Sequence, residues 1–504
     1  MASVFLGDLD DFIQPSQACV NPLFLAGKQA TEKATVSLDS DIYSGIHQVA
    51  IEPDLIKSSV HDTAMVSLND CLACSGCVTT AETILISQQS AQEFRTVLAA
   101  RAHAKVVVTL SAQARASIAA HFDLTAHAAH MKLVSYLRGL GVDVVLDAGA
   151  GADIALIEAR TEFLARYRQR QVLPWKRPPS SRPISSTETE YLESTTEEAP
   201  THVALPMLTS ACPGWVCYAE KSNANAIPYI STTKSPQQIT GTLVKRLLFP
   251  QTSVYHATVM PCYDKKLEAS RNNFLDAATD TRDVDCVLAA SELLEMLITD
   301  GVDLRSLPDA VLSADELLWS GISTDGRAVV GATDGEVGSG GYLEHIFRFA
   351  AKELFDVDVV GPLPYVTGRN ADFREVALVV DGRPALTFAL AYGFRNIQTV
   401  LMKIKRNKCP YDFVEIMACP GGCVNGGGQI KPESAATNKA LVDKVTTTFR
   451  ARAVRPPTDS PVCMQLYANH LDNMPFGPKA QAVFHTRYHA VPKLELANPF
   501  GIKW

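Results

Sequence analysis

Val254-Tyr-His-Ala-Thr-Val-Met260 runs straight into Pro261-Cys262-Tyr-Asp-Lys-Lys-Leu-Glu268, and the break between the two decides the architecture. The first part is a short apolar run of the kind that forms a buried strand. A cysteine then stands just past its carboxyl end, where a chain can turn into a helix. Cys212, in Ser210-Ala-Cys-Pro-Gly-Trp215, and Cys419, in Met417-Ala-Cys-Pro-Gly-Gly-Cys423, stand in the same relation to the strand candidates Val203–Leu208 and Phe413–Met417. Open α/β sheets put their sites at that edge. Free N–H groups of a helix start can stabilise thiolates or an anionic cluster there.

Outward from this stretch the pattern repeats. Val106-Val-Val-Thr-Leu110 precedes the Ala-rich stretch Ala112–His121, and Val142-Asp-Val-Val-Leu-Asp147 precedes a helical pattern over Ile154–Arg168. Asp285–Ala289, Glu375–Val380 and Pro384–Ala391 read as further strands, with helices at Ser291–Ile298, Tyr342–Leu354 and Asn396–Lys408 between several of them. Strands alternating with helices predict βαβ units and mostly parallel sheets covered on both faces, an α/β fold. The first ~95 residues show few clean periods, and Pro174–Pro200, rich in Pro, Ser, Thr and Glu, reads as a disordered linker or insertion.

At roughly 100–200 residues per domain, 504 residues allow about three domains. Forty-six Lys and Arg against 54 Asp and Glu leave a net charge of −8. A net-acidic chain without a basic tract argues against a nucleic-acid binder and against an anionic-membrane binder. No apolar stretch reaches transmembrane length, and the acidic start Met1-Ala-Ser-Val-Phe-Leu-Gly-Asp lacks the features of a signal or transit peptide. The expectation is a cytosolic protein.

In that compartment twelve cysteines read as metal or redox ligands before disulfides. Cys71-Leu-Ala-Cys74-Ser-Gly-Cys77 matches the ferredoxin half-motif for a cubane cluster, with zinc and a metal-free thiol group as the alternatives. No Cys-Pro follows closely, so a fourth ligand must come from afar, and Cys19 is the only cysteine upstream. Cys212, Cys262, Cys419 and Cys423 make a second set of four, again one cubane's worth.

These motifs carry a resemblance. Ala211-Cys-Pro-Gly-Trp, Met260-Pro-Cys-x2-Lys-x2-Glu and Ala418-Cys-x3-Cys-x2-Gly-Gly-Gly-Gln are similar to the three signatures of the iron-only ([FeFe]) hydrogenases. Leu9-Asp-Asp-Phe-Ile-Gln-Pro-Ser-Gln-Ala-Cys19 and Asp70-Cys-Leu-Ala-Cys-Ser-Gly-Cys77 resemble the eukaryotic hydrogenase-like branch that serves cytosolic iron–sulfur protein assembly. His485-Thr-Arg-Tyr-His489 is similar to the small-subunit-like tail of the hydrogenases. The resemblance implies a two-lobed hydrogenase-like α/β body with a small N-terminal ferredoxin-like region and two [4Fe–4S] clusters. Cys19, Cys71, Cys74 and Cys77 would hold one, and Cys212, Cys262, Cys419 and Cys423 the other. It also places the first two signatures in one lobe and the Cys419/Cys423 loop in the other, with the inner cluster closed off between them.

In the hydrogenases the position of Cys423 also bridges to a catalytic two-iron unit, and the position of Lys265 contacts that unit. Their first signature has a proton-donating cysteine where this chain has Ala211, whose methyl group has no exchangeable proton. The resemblance therefore implies an adaptor rather than an enzyme, with no catalytic residue. It would act between an early scaffold NTPase complex and a late targeting complex containing a WD40 protein, in the cytoplasm, with the nucleus also allowed. An electron carrier and a hydrogenase are the alternatives. The division expected is 1–95 for the outer cluster, 96–173 for the first part of the α/β lobe, 174–200 for the linker, 201–455 for the lobes with the inner cluster, and 456–504 for the tail. Trp504, at the end of Asn498-Pro-Phe-Gly-Ile-Lys-Trp504, resembles the aromatic-ended docking handles of this family. Cys217, Cys286, Cys409 and Cys463 read as packing residues, His485 and His489 as packed or surface residues, and Gly338-Ser-Gly-Gly341 as a tight turn beside the inner cluster.

Overall fold

The computed structural model describes residues 86–172, 204–276, 279–320, 329–331, 338–368, 370–432, 435–451 and 453–491. Cys19, Cys71, Cys74 and Cys77, the linker at 174–200 and Trp504 lie outside the described residues.

Two principal sheets organise the rest, and their strands are numbered here in chain order. Lys105–Leu110 (β1), Val144–Asp147 (β2), Val254–Met260 (β4) and Cys286–Ala289 (β5) form a four-stranded sheet in the order β2-β1-β4-β5. Every pairing in it is parallel, as the continuous apolar strands require. Met207–Thr209 (β3), Val366–Thr367 (β6), Phe373–Val380 (β7), Arg383–Tyr392 (β8) and Phe413–Met417 (β9) form a five-stranded sheet in the order β3-β9-β8-β7-β6. Here β3, β9 and β8 run parallel, while β8, β7 and β6 are antiparallel. Asp381 and Gly382, both at positive φ (50° and 74°), close the hairpin between β7 and β8.

The expectation of a mostly parallel α/β body is met, but the distribution of the cysteine turns needs correction. Cys212 follows β3, which pairs with β9 through Met207 and Phe413, so Cys212 shares the five-stranded sheet with the Cys419 loop. Cys262 follows β4 in the four-stranded sheet. The first two signatures therefore come from different sheets. Order along the chain does not fix which strand a short strand such as β3 will pair with.

Each sheet packs its own core. The four-stranded sheet is covered by Phe94, Ile118, Leu133 and Leu137 on one side of β1, with Leu293 and Leu297 behind β5. The Phe94 contact belongs to the helix Ala91–Ala100, which the sequence reading misses; Ser90 caps it by accepting from the Glu93 N–H. The five-stranded sheet packs on the helices Gly149–Val172 and Tyr342–Phe355 through a nest of rings. Phe388 stacks on Phe413 at 4.9 Å between centroids and meets Phe163 and Phe347 edge-on at 5.1 and 5.2 Å. The last described stretch clasps the helix Gly149–Val172 at Glu158, whose carboxylate accepts from the Tyr467 hydroxyl, the Phe476 N–H and the His485 ring. His485 is thus a packed residue.

Phe388 is 0 % exposed at the centre of the ring nest, so Phe388→Ala should cost about 3–5 kcal/mol in denaturant unfolding of the full chain. A loss under about 1 kcal/mol would show that the nest does not hold the helices to the sheet.

Candidate functional site

The three cysteine turns meet where the carboxyl edges of the two sheets face each other. Cys212 is the N-cap of the helix Pro213–Ser222, and its N–H donates to Ser210 Oγ at 3.0 Å. Ser210 Oγ in turn donates to the Ile416 carbonyl at 2.5 Å, tying the Cys212 turn to β9. Cys262 sits between β4 and the short helix Asp264–Ala269. The Gly428 N–H donates to the Pro261 carbonyl at 2.9 Å, and the Gly428 carbonyl accepts from the Ser291 N–H at 3.0 Å. These bonds stitch the third signature to the second across the two sheets.

Cys419 and Cys423 flank a loop whose shape depends on glycine. Gly422 has φ +82°, and a Cβ there would fall 2.2 Å from Ser339 Oγ. The Cys423 N–H donates to that same Ser339 Oγ at 3.0 Å, and the Gly421 N–H to Asp372 Oδ1 at 2.7 Å. Ser339 belongs to the Gly338–Gly341 segment, so the expectation of a tight turn beside the inner site is met.

Cys212, Cys262, Cys419 and Cys423 line one small cavity, in company with Asp264, Lys265 and Met417. Among the described residues, no three His, Cys, Asp or Glu side chains converge as a single metal ion requires. The thiols surround a volume rather than a point. That donor set fits a polynuclear cluster, in which each iron takes one thiolate, better than a tetrahedral zinc. A second cavity adjoins the first and shares Ala211, Lys265 and Cys423 with it.

Burial pushes all four thiols up. Cys212 rises to about 12, with the Asp264 carboxylate as the next cause. Burial lifts Cys262 and Cys419 well above the ordinary thiol value, and Asp264 adds to both. At Cys423 burial again raises the value, while the Ser339 hydrogen bond and the Lys265 charge pull it back. Lys265 is itself held by Glu268 at 2.8 Å, and the same Glu268 oxygen accepts from Ser235 Oγ and Gln237 Nε2. The shell is not closed on all sides. Cys212 and Cys262 are 7 % and 8 % exposed, but Cys419 and Cys423 are half-buried and Pro420 and Gly421 are exposed. The expectation of a fully closed inner site therefore holds for one side only.

Sequence reasoning points to the four thiols, Lys265 and the Gly338–Gly341 turn that carries Ser339, and misses Asp264, Asp372 and Met417 as members of the site. Asp264 had a signal, since it lies inside the Cys262 motif. Asp372 had none, because it arrives from a distant segment. Cys286 and Cys463 are buried at 1 % exposure, as expected of packing residues, and Cys217 and Cys409 are half-buried.

In the metal-free full chain the raised thiols stay protonated at pH 8. Their neutral forms stabilise the fold below the ordinary thiol value of about 9, and this contribution disappears as pH climbs from about 9 towards about 12. Thermal melts should therefore fall across that window. Mass-spectrometric mapping should show Cys212 and Cys262 alkylated at least roughly tenfold more slowly than free cysteine at pH 8. Equal rates would contradict the burial described here.

Residues 104–176 and 182–427 match the family model described as iron only hydrogenase large subunit, C-terminal domain. The chain is 43 % identical to cytosolic iron-sulfur assembly component 3 of Rattus norvegicus, with all of both chains covered. It is 42 % identical, again over both full lengths, to the cytosolic Fe-S cluster assembly factor narfl of Xenopus tropicalis. Protein NAR1 of Arabidopsis thaliana is 40 % identical over 97 % of this chain and 96 % of its own. Among solved structures, a variant of [FeFe]-hydrogenase HydA1 from Chlamydomonas reinhardtii matches with a TM-score of 0.63 at 28 % identity, over 79 % of this chain and 98 % of the hydrogenase. The body has the hydrogenase-like α/β fold, and the chain belongs to the iron-only-hydrogenase-like family that includes the cytosolic iron–sulfur cluster assembly factors.

Proposed function

We propose that the chain is an adaptor in the maturation of cytosolic and nuclear iron–sulfur proteins, and not an enzyme. It would hold two [4Fe–4S] clusters, the inner on Cys212, Cys262, Cys419 and Cys423 and the outer on Cys19, Cys71, Cys74 and Cys77. The observation that carries the inner assignment is the convergence of four thiols from two sheets on one cavity. The names of the relatives, cytosolic assembly components over their full lengths, support the pathway.

A bound cluster would supply a covalent cross-link between the two sheets and a one-electron couple. The chain's own residues do the remainder. The Cys212 and Cys262 turns present thiols from buried strand ends, and the loop glycines let backbone approach closely. Lys265, held by Glu268, places a positive charge at the Cys423 corner. Ala211 presents only a methyl group to the wall shared by the two cavities, so no proton can be delivered from that position. This supports a body that has kept the hydrogenase frame without its terminal proton donor.

The partners we assign are the early scaffold NTPase complex and the WD40-containing targeting complex, met in the cytoplasm and the nucleus, with no nucleic acid and no membrane. Among the described residues no helix is long and apolar enough to cross a membrane. Residues 1–95 would carry the outer cluster, 96–173 and 201–455 the body, 174–200 a linker and 456–504 the tail.

Anaerobic purification should give about eight irons per chain with matching acid-labile sulfide and [4Fe–4S] EPR signals. Cys71→Ala should remove the outer cluster alone, and Cys423→Ala should destroy the inner one and destabilise the body. No hydrogen should be evolved or consumed with strong reductants. One zinc and no sulfide would falsify the cluster assignment, and hydrogen turnover would end the adaptor reading.

Trp504 is assigned as the docking handle on the targeting complex. Its deletion should leave iron and fold intact and weaken capture of that complex at least roughly tenfold, about 1.4 kcal/mol. Unchanged capture, or iron lost on truncation, would make the residue structural.

A further inference from the structure

Glu415 lies in the middle of β9 with 0 % exposure, and among the described residues it forms no ion pair. A buried carboxylate is tolerated only where its oxygens are bonded. One of them accepts from the Leu343 N–H at 2.7 Å, at the start of the helix Tyr342–Phe355, whose N-cap Gly341 offers no side chain. Helix capping accounts for that bond. It does not account for the other oxygen, which accepts from the Tyr392 hydroxyl, also at 2.7 Å.

Tyr392 ends β8, is 2 % exposed and stands behind both groups that pin the Cys419–Cys423 loop. Its hydroxyl is also hydrogen-bonded to Ser339, whose Oγ accepts from the Cys423 N–H. Its backbone N–H donates at 2.9 Å to the carbonyl of Asp372, whose side chain accepts from the Gly421 N–H. Its carbonyl accepts from Asn396 Nδ2 at 2.7 Å, and the N–H of the next residue, Gly393, donates to the Met417 carbonyl at 2.8 Å. The ring packs against the loop as well, since a Cβ at Gly422 would fall 2.9 Å from Tyr392 Cε2.

We propose that Tyr392 is the positioning residue of the Cys419–Cys423 loop, with its hydroxyl held by Glu415 and setting, through Ser339, where Cys423 stands. The loop has no strand pairing of its own, so the groups that accept its N–H bonds decide its place. Buried hydrogen bonds joined in a network fix one arrangement more firmly than separate ones do. Partners that orient a metal ligand matter nearly as much as the ligand itself. The inference rests on the cluster assignment made above for its iron readout alone, and its thiol readout stands without that assignment.

The test uses the full chain as wild type, Tyr392→Phe, Ser339→Ala and the double variant. Tyr392→Phe removes the hydroxyl and keeps the ring and the backbone bonds. Iron loss to a ferrous chelator is followed after anaerobic purification, and the thiols are mapped by alkylation at pH 8 once the iron has been stripped. In Tyr392→Phe about half of the iron should leave at least roughly tenfold faster than in the wild type. In the stripped chain Cys423 should be alkylated at least roughly tenfold faster, with Cys212 and Cys262 unchanged. Ser339→Ala should behave in the same way. The double variant should be no worse than the more affected single variant, because the Tyr392 hydroxyl reaches the loop only through Ser339. Effects that multiply in the double variant would overturn the inference, since the two residues would then act separately. Unchanged Cys423 alkylation in Tyr392→Phe would overturn it too, and so would an equal rise at Cys212 and Cys262, which would mean general loosening. A wild type without iron and sulfide would overturn the cluster assignment, and the alkylation comparison would then decide this inference by itself.

Discussion

The site depends on a close backbone approach between two sheets. Cys262 comes from the four-stranded sheet, and Cys212, Cys419 and Cys423 come from the five-stranded one, so no cavity exists unless the two carboxyl edges are held together. The Pro261 carbonyl to Gly428 N–H bond and the Gly428 carbonyl to Ser291 N–H bond provide that hold. Any side chain at 428 would break it, since a Cβ there would meet Ala289 Cβ at 2.9 Å and Cys262 Cα at 3.1 Å. Buried polar groups extend the stitch. Gln237 donates to the Lys265 carbonyl and to Glu268 and accepts from the Thr258 hydroxyl, so it links the turn after β4 to the strand itself. Buried groups with their partners in place fix one arrangement of the elements around them, because any other leaves a polar atom unpaired.

Much of the fold was legible in the sequence for a local reason. Val254–Met260 and Phe413–Met417 are continuous apolar runs bounded by turn residues, and both strands occupy the expected residues. Ala112–His121 matches its helix too. What failed was sheet membership. β3 is three residues long, and its pairing with β9 is decided by contacts with residues about two hundred positions away. The Asp381-Gly382 hairpin carried a readable signal, since this dipeptide between apolar runs favours a two-residue turn. The prior for parallel pairing hid it, although β7 and β8 were each placed correctly.

The site divides in the same way. Cys212, Cys262 and Cys419 were readable because each stands just past an apolar run, where open α/β sheets put their sites. The bonds that Ser339 and Asp372 make were not, although the glycines around Ser339 marked its turn, because a hydroxyl or carboxylate that accepts a loop N–H leaves no periodic or spacing signal. Their role is to pin the Cys419–Cys423 loop, which lacks strand pairing of its own and would otherwise be the least stable part of the site. The exposure follows this division. Cys212 and Cys262, at the ends of buried strands, are nearly closed off, while the loop residues Cys419 and Cys423 are only partly buried.

Burial of four thiols around one cavity is possible only because they are neutral. A deprotonated set would put four negative charges beside Asp264 in a small, poorly hydrated cavity, and neither Lys265 nor the helix starts could offset that. Raised thiol values remove the problem, because protonated thiols bring no charge into the cavity. Any metal bound here would carry the opposite cost, since each thiol that became a ligand would have to release its proton. Under the cluster assignment proposed above, iron and sulfide would take over the charge that the protons mask, and the stitch at Gly428 sets where the four thiolates would stand.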